Sequence, residues 1–103
     1  MIAMRREVEI VNELGLHARP AAEFVRAVQS FESDVFIIKD DAQFSADSIV
    51  EVLTANLGRG NRITLEANGR DAEKALNCLA ELLHTFKVQE ENEHSDSSLG
   101  GDH

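Results

Sequence analysis

The spacing of apolar residues switches repeatedly between two and three-to-four along this chain, and that switching constrains the fold more than any other feature. Residues 4–11 alternate, with Glu7 and Glu9 on one side and Val8 and Ile10 on the other, as in a half-buried strand. Residues 12–15 break the pattern. From Pro20 the spacing is helical: Ala21, Phe24, Val25 and Val28 form one stripe, which predicts a helix over about residues 18–30. Pro20 fits the first turn of that helix, where intrahelical N–H donors are not required. Residues 35–38 form a short β-rich run ended by Asp40 and Asp41, and residues 43–45 suit a brief return strand. A short helix follows over 48–57, with Ile49, Val52 and Leu53 as its inner stripe and Ser48 with Glu51 as a capping box. Ile63, Leu65 and Ala67 alternate with Thr64, Glu66 and Asn68 to give another strand. After the Asn68-Gly69 turn, Asp71 is placed as an N-cap, and Ala75, Leu79, Leu82, Leu83 and Phe86 define a last amphipathic helix. The order βαββαβα predicts an α+β fold, one sheet with helices packed on one face. The pattern does not fix the strand order.

Charge divides the chain into two parts. The net charge is −9, with nineteen acids against ten bases. Five of the acids (Glu90, Glu91, Glu93, Asp96 and Asp102) fall after Val88, where no Lys or Arg occurs. Residues 1–88 thus hold fourteen acids against ten bases, a net −4, and read as one domain. Residues 89–103 are polar, acidic and rich in Gly and Ser, which predicts a disordered tail. The negative charge argues against nucleic acid and anionic membrane as partners. With neither Trp nor Tyr, the chain also lacks the aromatic platforms used on single strands. The single cysteine, Cys78, cannot pair within the chain, and its helical neighbours Leu76, Leu79 and Leu82 predict a small buried hydrophobe. No apolar run suits a signal peptide or a membrane span, so the expected setting is the cytoplasm.

Among the four histidines, His84 lies on the polar flank of the last helix, and His94 and His103 belong to the tail. No spacing suggests a metal site, and no glycine-rich nucleotide loop occurs, so neither metal nor cofactor is expected. His17 stands apart because it precedes a helix whose first turn contains Arg19 and Pro20. Amides at such an end point outward, and the helix dipole adds about half a positive charge there. Together they favour a bound anion. Arg19 adds a permanent charge with planar donors suited to phosphate oxygens. An imidazole in that position is a nucleophile beside a ready phosphate site, and phosphoryl transfer depends mainly on positioning and charge.

The run from Gly15 through Leu16, His17, Ala18, Arg19, Pro20 and Ala21 to Ala22 resembles the active-site signature of HPr, the histidine-containing phosphocarrier of the bacterial phosphotransferase system. Ser48, Ile49 and Val50, at the start of the short helix, resemble the family's regulatory serine and the hydrophobic pair behind it. The likeness covers about residues 4–87. It implies a four-stranded antiparallel sheet with three helices on one face, an open-faced sandwich. It implies a carrier that is not itself an enzyme: His17 takes a phosphoryl group through Nδ1 from phospho-enzyme I and gives it to A-type components of enzyme II for sugar uptake. Ala18 and Arg19 are then the phosphate-binding residues, with Arg19 assisting transfer. Arg26, Ile49 and Val50 form part of the docking surface, and Ser48 is the site of HPr kinase/phosphorylase. The carrier is expected to be a monomer. An alternative of the same fold is a regulatory module, of nitrogen or carbon control, that acts on partners through phospho-His17 or phospho-Ser48. Asp47, Glu51 and Gln29 stand where many or some relatives carry Lys, so this docking surface is more acidic than that of the sugar-transport members.

Overall fold

A computed structural model describes residues 3–100, with side chains through residue 89. Its elements run β1 (Ala3–Glu9), α1 (Ala18–Gln29), β2 (Asp34–Lys39), β3 (Ala42–Ser45), α2 (Ile49–Thr54), β4 (Arg62–Asn68) and α3 (Ala72–Gly100). The four strands form one antiparallel sheet in the order β1-β4-β2-β3. This is the open-faced α+β sandwich expected from the sequence, with three helices packed on the sheet.

The register explains which face the helices cover. Met4 pairs with Ala67, which also pairs with Val35; Leu65 pairs with Ile37, which pairs with Phe44. These residues point to the helices, and Val35, Ile37, Ile63, Leu65 and Ala67 are buried there against Phe24, Val28, Leu79 and Leu83. On the edge strand the same row contains Arg6, whose guanidinium bonds the Asn77 side chain of α3 at 2.7 Å. The other sheet face carries Arg5, Glu66 and Phe36 in one row and Glu7, Thr64 and Ile38 in the next. Arg5 pairs with Glu66 across the strands at 2.7 Å.

Two expectations need correction, and two features go beyond what the pattern suggests. Cys78 is exposed. The buried residues of α3, from Ala72 and Ala75 through Leu76, Leu79 and Leu83 to Phe86, occupy one arc, and at about 100° per residue Cys78 falls well outside its centre. In α2 only Val52 is buried, whereas Ile49 and Leu53 face outward. A helix this short seats one side chain in the core, and the flanking Ala46, Ala55 and Leu57 supply the rest. Asp71 does more than begin α3. Its carboxylate accepts hydrogen bonds from the N–H groups of Glu32 and Ser33, each at 2.9 Å, and from the Ser33 hydroxyl, so it ties the end of the α1–β2 loop to α3. The last helix, α3, spans Ala72–Gly100 and so runs beyond Val88. Once a helix is nucleated each added residue costs little, and no Pro or Gly intervenes before Gly100. Asp102 and His103 lie outside the described residues. No helix among the described residues is long and apolar enough to cross a membrane.

Candidate functional site

The approach to His17 is a loop fixed from both sides. Ile10 is buried; its N–H donates to Asn61 C=O at 2.9 Å and its C=O accepts from Gly60 N–H at 2.8 Å. Asn12, 1% exposed, donates its side-chain N–H to Gly15 C=O at 2.8 Å, while Gly15 N–H donates to Asn12 C=O at 3.2 Å. Gly15 adopts φ +68°, and a Cβ there would sit 2.3 Å from Leu57 C=O. Only glycine permits that approach without displacing the backbone. The next residue completes the attachment: Leu16 N–H donates to the same Leu57 oxygen at 2.8 Å, and its side chain is buried.

His17 emerges from this loop as the N-cap of α1, with extended backbone (φ −89°, ψ −170°). Its C=O accepts from Ala21 N–H at 2.8 Å, the bond that starts the helix. An N-cap residue usually turns its side chain back onto the first amides. His17 does not; its ring makes no capping bond and is exposed. The first turn holds the amides of Ala18 and Arg19, then Pro20, which has no N–H, and it contains no acidic side chain. The helix end therefore keeps its positive character and presents it beside the imidazole. Arg19 is exposed in the same turn. An imidazole so placed has what a phosphoryl acceptor requires: an accessible ring, amide donors and a neighbouring cation.

The second predicted cluster lies on α2, against which α1 packs. Ile49, Val50 and Leu53 are 36%, 68% and 44% exposed, a group of apolar side chains open to solvent. Ser48 is the N-cap, accepting from Glu51 N–H at 3.4 Å. The capping box is only half formed, because the Glu51 carboxylate reaches past Ser48 and accepts from Ser45 N–H at 2.9 Å. Gln29, at the end of α1, donates to Asp47 C=O at 3.1 Å and joins the two helices. Arg26 lies exposed in the last turn of α1.

The two clusters are joined through Leu57, just beyond α2, which receives Leu16 and so links the segment after α2 to the His17 loop. Sequence reasoning missed Asn12 and Leu57, whose roles depend on contacts made by backbone and a buried amide. It also missed Leu14, 65% exposed in the loop before His17, and Leu53 as a surface residue. Lys39 was missed as well. It turns inward, its ammonium donating to Ala55 C=O at 3.0 Å and Asn56 C=O at 2.9 Å, where a cation favours the negative end of α2. Among the described residues, no group of three or more His, Cys, Asp or Glu is placed to hold a metal ion.

An exposed histidine at a helix entrance, on an open-faced α+β sandwich, is an arrangement suited to a phosphocarrier. The family model for the HPr component phosphorylation site of the phosphotransferase system matches residues 4–85, and the chain belongs to this HPr family. It is 31% identical over 83 residues to the phosphocarrier protein HPr of Neisseria meningitidis serogroup A, covering 81% of this chain and 93% of that protein. It is 40% identical over 77 residues to the HPr-like protein Crh of Bacillus subtilis, covering 75% of this chain and 91% of that one. The crystal structure of HPr from Bacillus anthracis superposes with a TM-score of 0.75 at 39% identity, over 78% of this chain and 95% of that one. As a phosphocarrier, the chain is a substrate of phosphotransferases and not an enzyme.

Proposed function

We propose that His17 is the acceptor of this carrier, taking a phosphoryl group from phospho-enzyme I and passing it to A-type components of enzyme II. The observation that carries this reading is the His17 ring at the start of α1, exposed and unused as a cap beside the Ala18 and Arg19 amides. In the transfer an imidazole lone pair forms the new N–P bond as the donor's bond to phosphorus breaks, and the donor leaves with that electron pair. The three phosphoryl oxygens then meet the Ala18 and Arg19 amides, with the Arg19 guanidinium as a further donor. Arg26, Ile49 and Val50, together with Leu53 and Leu14, form the surface that partners cover. In this reading the carrier works as a cytoplasmic monomer. Ser48 is its regulatory position, modified by an HPr kinase/phosphorylase.

The test is incubation with enzyme I and labelled phosphoenolpyruvate. One acid-labile, base-stable label per chain is expected on the parent and none on His17→Ala. Equal labelling of His17→Ala overturns the assignment. Arg19→Ala should retain stability within about 1 kcal/mol, as a surface change, while its labelling slows by about tenfold or more through loss of a charge-assisted contact.

A second reading, a regulatory module acting through phospho-His17 or phospho-Ser48, draws support from one observation. Asp47 and Glu51 stand exposed around the exposed face of α2 and give it an acidic border.

A further inference from the structure

The exposed face of α2 combines an apolar centre with an anionic edge, and the edge is held in place. Ile49, Val50 and Leu53 lie within about 100° of one another around the helix, so they form one face. At its N-terminal side the Ser45 N–H donates to Glu51 Oε1 at 2.9 Å, and the Ser45 hydroxyl donates to Asp47 Oδ1. Gln29 fixes the Asp47 backbone from α1 at 3.1 Å. Both acids are exposed, and among the described residues neither makes an ion pair with a Lys or Arg. The cation that reaches α2, Lys39, is committed to the carbonyls at the opposite end. The two carboxylates therefore face outward, oriented and without a compensating cation.

Leu16 N–H to Leu57 C=O fastens the His17 loop to the segment that follows α2, and α1, which His17 caps, packs against α2, so this exposed apolar face is available to a protein that docks beside His17. Covering Ile49, Val50 and Leu53 brings Asp47 and Glu51 to the rim of the contact and removes part of their water. A partner with acidic or neutral groups opposite them leaves those charges desolvated and unpaired. A partner with Lys or Arg there gains attraction in approach and in the bound state, and the fixed carboxylates lose little freedom on pairing. We propose that the protein that phosphorylates His17 meets α2 with an apolar depression rimmed by Lys or Arg, which pair with Asp47 and Glu51. This rests on the carrier reading of His17 and adds the chemistry of its donor.

The experiment measures phosphorylation of the full chain by enzyme I from the same source and labelled phosphoenolpyruvate, with the chain as varied substrate. For the parent, KM should rise about threefold or more between 50 and 300 mM NaCl, as screening weakens the attraction. Asp47→Lys with Glu51→Lys should raise KM at 50 mM NaCl by about tenfold, while labelling at saturating concentration still reaches one phosphate per chain. The near-isosteric pair Asp47→Asn with Glu51→Gln keeps the shape of α2 and should raise KM by a smaller factor, which guards against misfolding of the reversed variant. A parent KM insensitive to salt, or an unchanged or lowered KM in the neutral pair, overturns the docking proposal while His17 remains labelled. Failure of the parent to take label at any concentration removes the carrier reading, and the docking proposal with it.

Discussion

Asp71 lies away from the His17 surface, yet it shows how much one side chain can join. The hydrogen bond from the Ser33 hydroxyl, then that from Glu32 N–H, hold its carboxyl below the usual aspartate range. Gly69 allows the approach, since a Cβ there would sit 2.6 Å from the Ser33 Oγ. Because the folded chain holds this carboxyl below its unfolded value, the contribution to stability is complete above the ordinary aspartate pKa of about 3.9. It is lost as pH falls through the lower, folded value. Asp71→Asn should therefore lower Tm at pH 7, and the gap from the parent should close as pH is taken from about 4 downward. A gap independent of pH in thermal melts would show that the charge is not what counts. The sequence suggests Asp71 only as a helix cap, because its partners come from a loop almost forty positions away. His17 and Arg19 are legible for the opposite reason: their helix entrance is local and contiguous.

At the scale of elements, α1, β4 and the first half of α3 follow from periodicity, since each buries a continuous stripe or alternating face. The short α2 does not. Its apolar residues satisfy a helical pattern, but Ile49 and Leu53 serve the surface and Val52 alone serves the core. Periodicity records that residues share a face, not whether that face meets the protein or a partner. α3 raises a different question. Among the residues with described side chains, Phe86 is the last of α3 in the core, and Val88 is half-exposed. We propose that residues 1–88 are the independent folding unit and that the acidic residues 89–103 are an appendage that this unit does not need in order to fold. Truncation after Val88 should leave Tm within a few degrees of the parent, corresponding to less than about 1 kcal/mol, and should leave the phosphorylation rate unchanged. A loss of several kcal/mol in denaturant unfolding would place part of that segment in the fold.

For the molecule as a whole, the strand order β1-β4-β2-β3 is the feature least legible in the sequence. A half-buried strand alternates in the same way at an edge or in the centre, and the pairing of β1 with β4 spans most of the chain. What the order accomplishes is to bring the turn after α2 beside the loop before α1, so that Ile10 meets Gly60 and Asn61, and Leu16 meets Leu57. That last bond has a kinetic consequence. On the carrier reading proposed for His17, a loop fastened to the segment after α2 calls for no internal rearrangement between encounter and transfer. The expectation is that, at low concentrations of both proteins, diffusional encounter limits turnover. The second-order rate constant for phosphoryl exchange should fall in inverse proportion to solvent viscosity as glycerol is added. A rate indifferent to viscosity would instead locate a slow conformational or chemical step within the encounter complex.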